Sequence, residues 1–190
     1  FGGVIFTHKQ NFSIQKLSDI KGKKFMAVDP RSFGGWLMAK RKLVERRIVN
    51  NSKGLKIVFG TTHDEVVFAV RDKKADAGTV RTGILEQMHV EGRIKIDEFN
   101  IIDKHSSKSD FPLMCSTQLY PEWPFAKTSK TSAMLAKKVA IALLDMEPKS
   151  KAAKDSGVHG WSVPANYQSV HDCLKIIKFR PYENFGEVSF

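Results

Sequence analysis

Three polar turns in this chain carry groups that bind anions. Each follows an apolar run of strand type and precedes a helix, at residues 29–35, 60–64 and 81–82. Helix N-termini carry unpaired N–H groups and the positive end of the helix dipole, so each turn is a candidate oxyanion site. Parallel strands bring such turns to one edge of a sheet, where ligands bind. The pattern therefore predicts one anion pocket built from three turns.

The first turn offers the hydroxyl of Ser32, followed by Phe33 and a pair of glycines. Gly34 and Gly35 would let an anion approach the backbone closely, which favours binding. The structural alternative is that Ser32 only caps a helix, a common role for serine. The lysine and the spacing of a nucleotide-binding P-loop are absent, which argues against nucleotide hydrolysis.

The second and third turns supply four further candidates. Thr62 begins a capping box with Glu65, so a structural role alone explains it. His63 follows at the helix start and either gives a proton to an anion or points to solvent. Arg81 carries a planar guanidinium that matches an oxyanion, with a surface salt bridge as the alternative. Thr82 stands beside it and completes the predicted ligand-binding set: Ser32, Phe33, Gly34, Thr62, His63, Arg81 and Thr82.

Patterns for catalysis or metal binding are absent from the sequence. There is no GxSxG nucleophile motif, and the six histidines show neither HExxH nor another metal-ligand spacing. Cys115 and Cys173 are too far apart for a zinc ribbon or a CxxC redox motif, and two buried thiols are favoured over a disulfide. We therefore predict a protein that is not an enzyme and has no catalytic residues, no metal and no cofactor.

Composition fits a soluble α/β protein that binds anions. The 190 residues are 42% hydrophobic and 27% charged, enough for one domain or for one lobe with part of a second. The net charge of +11 is scattered along the chain, which favours a solvated surface and attraction of an anionic ligand over a nucleic-acid footprint. No apolar run of about 18 residues exists. Residues 1–6 resemble the inside of a buried strand, which indicates a fragment or a processed product.

Strand–helix alternation predicts a parallel sheet up to about residue 91. Beyond it we predict strands over 94–102 and 111–117 and helices over 132–146, 151–156 and 166–177. Loops are predicted at 50–54 and 105–110.

Taken together, several motifs resemble the phosphonate/phosphite-binding branch of the periplasmic substrate-binding proteins. The later motifs look most like the periplasmic sensor domains of histidine kinases, such as tetrathionate sensors. The resemblance extends over about residues 1–186 and is specific only as a set. The matching segments are residues 17–23, 30–35, 62–64, 75–82, 119–124, 160–167 and 181–183.

This resemblance implies a type II, two-lobed clamshell that holds a small oxyanion in its cleft. Family members use the serine of the first turn, the histidine of the second and groups near the third, which carries over to Ser32, His63, Arg81 and Thr82. Family members also have a preceding segment that supplies aromatic cleft residues, and we expect lobe one to be incomplete here. The implied division is a strand entering from lobe one (1–8), lobe two with a parallel sheet (9–103), returning strand and helices of lobe one (104–180) and a linker (181–190).

The leading functional hypothesis is a periplasmic input domain of a two-component sensor kinase that binds a phosphonate-, phosphite- or sulfur-oxyanion-like ligand. The alternatives are the substrate-binding protein of an ABC transporter and the effector-binding domain of a LysR-type transcription regulator. The expected partners are a small anionic ligand and the membrane subunits of a kinase or transporter, with no nucleic acid; homodimerisation stays open. A membrane span outside this segment would anchor the domain.

Overall fold

A computed structural model describes residues 1–49, 54–105 and 111–187 and divides the chain into two compact units. The first unit consists of Phe1–Tyr120 and Gln168–Phe190, and the second of Pro121–Tyr167. The limits of these units differ from the predicted boundaries, which follow residues 8, 103 and 180. The assignment of segments to lobes stays a prediction. Most of the loop predicted at 50–54 and of the loop predicted at 105–110 lies outside the described residues.

The first unit is built on a five-stranded sheet with the order β3-β2-β4-β1-β5. Its strands are β1 (Gly3–His8), β2 (Lys24–Ala27), β3 (Lys56–Phe59), β4 (Ala77–Arg81) and β5 (Phe99–Ile101). As predicted, β2 runs parallel to both β3 and β4. The complete sheet is mixed, because β1, which was predicted to enter from lobe one, lies between β4 and β5 and is antiparallel to both.

Helices cover both faces of this sheet. A π-helical turn (Phe33–Leu37) leads into α1 (Met38–Glu45), followed by α2 (His63–Arg71), α3 (Ile84–Val90) and α6 (Gln168–Ile176). Two short 3-10 helices, Leu17–Ile20 and Ile96–Glu98, belong to the same unit. On one face Phe25 and Ile5 pack with side chains of α1 and α6. On the other face Phe6 and Met26 pack with side chains of α2 and α3. Burying both faces fixes the sheet and, with it, the turns that leave its carboxyl edge.

The strand predicted over residues 111–117 does not form. Instead, the N–H groups of Ser116 and Thr117 both donate to the carbonyl of Gly3, at 2.8 and 3.2 Å. The Ser116 hydroxyl accepts from the N–H of Ile5 at 2.9 Å. Side-chain hydroxyls thus replace the regular backbone ladder beside β1, which the apolar pattern of this segment does not reveal.

The second unit contains both helices predicted for it, and the first of them ends at Leu144, two residues before the predicted end. These are α4 (Ala133–Leu144) and α5 (Lys151–Ser156), whose first turns are capped by the hydroxyls of Ser132 and Ser150. Serine caps of this kind satisfy an N–H group that has no partner inside the helix. Local signals therefore determine both helix starts.

Both cysteines are buried free thiols, as predicted. Burial raises the pKa of the Cys173 thiol to about 11. Within the described residues, no helix has the length and apolar character needed to cross a membrane.

Candidate functional site

The three predicted turns lie side by side at the carboxyl edge of the sheet. They follow β2, β3 and β4, which are neighbouring parallel strands in the order β3-β2-β4. Each turn leads into a helix on one of the two sheet faces. The turn after β2 therefore lies between the other two.

The first turn is organised by Ser32. Its hydroxyl accepts a hydrogen bond from the N–H of Gly35 at 3.1 Å, and its carbonyl accepts from Trp36 and Leu37 at 2.9 and 3.0 Å. Ser32 is thus the helix cap, and its O–H proton remains available to donate to a ligand. The N–H groups of Phe33 and Gly34 have no acceptor inside the helix.

Close packing joins the first turn to the third. A Cβ atom on Gly34 would lie 3.2 Å from Cβ and Cγ of Arg81, so the two segments touch. The Phe33 ring packs edge-on against Tyr120 and Phe1, with centroids 5.0 and 6.4 Å away. The side chain of Phe33 therefore belongs to an aromatic cluster. Only its backbone N–H group is a candidate donor to an anion.

The second turn caps its own helix. The Thr62 hydroxyl accepts from the N–H of Glu65 at 3.2 Å, which confirms the predicted cap. The Glu65 carboxylate returns to the N–H of Thr61 at 2.8 Å, one residue earlier than a regular capping box requires. This backbone hydrogen bond lowers the pKa of Glu65. The N–H groups of His63 and Asp64, at the start of α2, have no acceptor inside the helix.

His63 connects the second turn to the third. Its Nδ1 accepts a long hydrogen bond, 3.5 Å, from the backbone N–H of Arg81. That bond requires the imidazole proton to be on Nε2, which makes Nε2 the donating atom. Burial lowers the pKa of His63, the positive charge of Arg81 lowers it further, and Asp64 opposes both. The imidazole is therefore neutral around pH 7.

The two residues of the third turn that were predicted to bind ligand have different surroundings. Arg81 is half-buried at the end of β4, beside Gly34 and His63. Thr82 is only 3% exposed, its hydroxyl accepts from the N–H of Gly2 at 3.2 Å, and its own N–H donates to the Gly2 carbonyl at 2.9 Å. These bonds give Thr82 a structural role that accounts for it, and its contact with ligand stays a prediction.

An open depression of about 450 Å³ begins at the second turn and runs along α3. Of the seven predicted residues, Thr62 and His63 line it, and the others lie outside its lining. The lining residues are Val28, Thr61, Thr62, His63, Asp64, Ile84, Gln87, Met88, Glu91 and Arg93. The part of the lining contributed by α3 and by the residues after it is not apparent from the sequence, because it depends on contacts such as that of Arg93 with Asp64, 29 positions apart.

A cluster of basic side chains lies on α1, and nearby acceptors pair with them. Lys42 contacts the Asp103 carboxylate at 2.7 Å and also donates to the Ser116 carbonyl. Arg41 bonds Glu45 at 2.8 Å and the Tyr120 hydroxyl at 3.3 Å. These partners hold α1 to its surroundings, so the cluster is a competing anion site only at its rim, where Arg46 is exposed.

Protonation of His63 should lower the free energy of unfolding. The pKa of His63 lies below its ordinary value of 6.5, so the unfolded chain binds a proton at this position at a higher pH than the folded chain. Its contribution to stability is therefore complete above pH 6.5 and is lost as the pH falls through the folded pKa. Urea unfolding from about pH 7.5 to pH 5 should show a smaller loss of unfolding free energy for His63→Gln than for the wild type. Equal losses in the two proteins would contradict this assignment.

Metal binding finds no support among residues 1–49, 54–105 and 111–187, where no group of three or more His, Cys, Asp and Glu side chains is placed to hold an ion. The three turns carry N–H, O–H and guanidinium donors, which are groups that bind anions in proteins.

Comparison with known sequences gives two findings. The family profile described as the periplasmic phosphonate substrate-binding protein of ABC transporters matches residues 1–168. A tetrathionate sensor histidine kinase of Salmonella typhimurium is 30% identical over 183 residues. That match includes 96% of this chain but only 29% of the relative, so the chain spans less than a third of that protein's length.

Solved structures share the fold. PhnD1 of Prochlorococcus marinus in complex with methylphosphonate superposes with a TM-score of 0.65 at 16% identity, over 91% of this chain and 65% of that one. A binding-protein component of an ABC phosphonate transporter of Pseudomonas aeruginosa gives a TM-score of 0.56 at 19% identity, over 80% and 47%. At these identities the likeness concerns the fold, an α/β architecture of the type II periplasmic binding proteins.

Proposed function

Since the chain belongs to the family of periplasmic phosphonate-binding proteins of ABC transporters, we propose that its three turns hold the head group of a small oxyanion. The supporting observation is the contact of Arg81 with both other turns, with Gly34 through its side chain and with His63 through its backbone. An anion at this point is within the reach of two helix N-termini and a guanidinium. Each of these groups stabilises negative charge.

Each predicted residue has a separate role in this proposal. Ser32 donates its hydroxyl, and Phe33 and Gly34 donate backbone N–H groups. The missing side chain of Gly34 makes room for Phe1 and Arg81 to pack against this turn. Thr62 holds the start of α2, and His63 donates from Nε2. Arg81 supplies the positive charge. Thr82 supports the turn through Gly2.

The domain is proposed to act as the input of a two-component sensor kinase. The relative that is 30% identical over 96% of this chain is a sensor kinase, which favours this function over a transporter component. Ligand binding would then shift the population of a closed state that the rest of the protein reads. The transporter alternative uses the same binding chemistry, and the description of the family profile supports it.

The remaining proposals concern location and partners. The family is periplasmic, and we place this domain there, held by a membrane span elsewhere in the protein. Its partners are a small anion and a membrane-bound kinase or transporter subunit. We expect binding without catalysis; the absence of nucleic-acid binding and a homodimeric state stay predictions.

A thermal-shift screen with Ser32→Ala tests this function. The probes are phosphite, methylphosphonate, methanesulfonate, thiosulfate and tetrathionate. A ligand present at about 100 times its Kd stabilises the folded chain by about 2.7 kcal/mol, which raises the Tm of a chain of this size by about 5–10 °C. Loss of one charge-assisted hydrogen bond in Ser32→Ala should weaken binding about tenfold or more.

Thr128→Ala serves as the matched control, because this exposed threonine lies in the second unit. An oxyanion that shifts the Tm of the wild type and of Ser32→Ala equally would contradict the site. A wild-type chain that none of the five probes stabilises would contradict the function.

A further inference from the structure

A threonine hydroxyl lies buried and unpaired beneath the first turn. Thr79, in the middle of β4, has no exposed surface, and its side-chain oxygen has no hydrogen-bond partner among residues 1–49, 54–105 and 111–187. A buried polar group without a partner lowers stability, and most buried polar groups in folded proteins are therefore paired. The exception indicates that this hydroxyl has a partner in another state of the site.

The neighbours of Thr79 show where its hydroxyl lies. Thr79 is directly opposite Ile5 in the antiparallel pair of β4 and β1, so the two side chains share one face of the sheet. Ile5 belongs to the core cluster that includes side chains of the π-helical turn, and this turn packs against β4. Two residues further along the same face, Arg81 contacts Gly34 at the start of the turn. The Thr79 hydroxyl therefore lies in the layer between β4 and the π-helical turn.

The π-helical turn combines two hydrogen-bond patterns. The Ser32 carbonyl accepts from the N–H of Trp36 at 2.9 Å, as in an α-helix, and from the N–H of Leu37 at 3.0 Å, as in a π-helix. The Gly35 carbonyl accepts from the N–H of Val28, outside the helix, at 3.3 Å. Because both patterns are satisfied at the Ser32 carbonyl, a small displacement of the turn exchanges one pattern for the other and changes which carbonyl groups are free to accept.

We propose that Thr79 is a positioning residue of the oxyanion site, whose hydroxyl gains its partner only when the anion is bound. The anion accepts from the N–H groups of Phe33 and Gly34 and displaces the turn, and the Thr79 hydroxyl then donates to a backbone carbonyl of the turn. This inference rests on the proposed function, because the anion must bind at these N–H groups. The unpaired hydroxyl destabilises the unliganded state, so part of the affinity comes from pairing it.

Replacing Thr79 by valine tests the inference, because valine has nearly the same shape and lacks the hydroxyl. Without ligand, the Tm of Thr79→Val should lie about 2–4 °C above that of the wild type, since an unpaired buried hydroxyl is removed. Binding should be about three- to tenfold weaker, since the hydrogen bond of the bound state is lost. Thr79→Ser keeps the hydroxyl and loses a buried methyl group, so it should lower the Tm and keep the wild-type Kd.

Thermal unfolding without ligand and calorimetric titration of the whole chain give the Tm and the Kd. The probe is whichever of phosphite, methylphosphonate, methanesulfonate, thiosulfate and tetrathionate raises the wild-type Tm most. Thr7→Val is the matched control, because Thr7 is equally buried in β1 and its hydroxyl donates to the Asp76 carbonyl at 2.6 Å. This control should lower the Tm and leave the Kd unchanged.

Three results would overturn the inference while the proposed function stands. The first is a Thr79→Val chain that binds the probe as tightly as the wild type does. The second is a Thr79→Val chain that is less stable than the wild type without ligand, or that does not fold, because the hydroxyl would then have a partner in the unliganded state. The third is a Thr79→Ser chain that binds as weakly as Thr79→Val. If none of the five probes binds to the wild type, the proposed function fails and the inference fails with it.

Discussion

Replacing Gly35 by alanine is expected to lower the free energy of unfolding by about 1–3 kcal/mol and to abolish oxyanion binding. A Cβ atom at this position would lie 2.6 Å from Cγ2 of Val28 and 2.7 Å from the Ser32 hydroxyl oxygen. Val28 is a buried β-branched residue directly after β2, so it cannot move aside without displacing the first turn. Relief of the clash displaces Ser32, on which the proposed site depends.

Urea unfolding and calorimetric titration measure the two effects of Gly35→Ala. Gly60→Ala is the matched control, because its new Cβ would meet the methyl end of Met26 at 2.9 Å and the Glu65 carboxylate at 3.1 Å. Both atoms end flexible side chains, so the control should cost much less stability. A Gly35→Ala protein as stable as Gly60→Ala, with full ligand affinity, would contradict the proposed role of the first turn.

Replacing Arg81 by glutamine is expected to weaken oxyanion binding by roughly tenfold to a hundredfold, with a small change in stability. A hydrogen bond to a charged partner contributes about 1.5–3 kcal/mol, and each 1.4 kcal/mol corresponds to a factor of ten in Kd. The variant keeps the backbone N–H that contacts His63, so it removes the charge and leaves the turn in place. Calorimetric titration with the best oxyanion of the screen gives the change in Kd.

Arg46→Gln controls for the general effect of removing one positive charge. Arg46 lies on the surface next to α1, with 65% of its side chain exposed. Electrostatic attraction of the ligand to a chain of net charge +11 should change little on its loss. Equal affinities of Arg81→Gln and Arg46→Gln would show that Arg81 acts only through the overall charge.

Local signals explain why the second turn is predictable from the sequence. Thr62 and Glu65 are three residues apart, and a helix start satisfies its N–H groups from within that distance. The cap, the start of α2 and the position of His63 at the first helical residue all follow. The starts of α4 and α5 are predictable for the same reason, because Ser132 and Ser150 cap them.

The direction of β1 is not predictable in this way. Its apolar run indicates a buried strand but contains no information on which neighbours it pairs with. In the structure it is inserted antiparallel beside β4, and this places Gly2 opposite Thr82. The Thr82 hydroxyl, which was predicted to bind ligand, therefore already accepts a hydrogen bond from the N–H of Gly2.

Contacts between residues far apart in the chain account for the other differences between the sequence-based expectations and the structure. The aromatic partners of Phe33 are Phe1 and Tyr120, far from it in the chain, so its side chain could not be assigned to a cluster from the turn alone. Arg93 follows α3 and has the appearance of an ordinary surface residue in the sequence. Only the packing of α2 beside α3 brings Arg93 to Asp64 and completes the lining of the depression.

The most direct test of the central claim is an amide chemical-shift titration of the isotope-labelled chain with methylphosphonate. Because this method detects weak binding, it locates the anion whether the affinity is high or low. The account predicts that the largest shifts occur at Phe33, Gly34, His63 and Asp64, and that Arg81→Gln reduces all of them together. Shifts centred instead on Lys42 and Arg46, or spread evenly over the surface without saturation, would contradict the claim that the three turns form one oxyanion site.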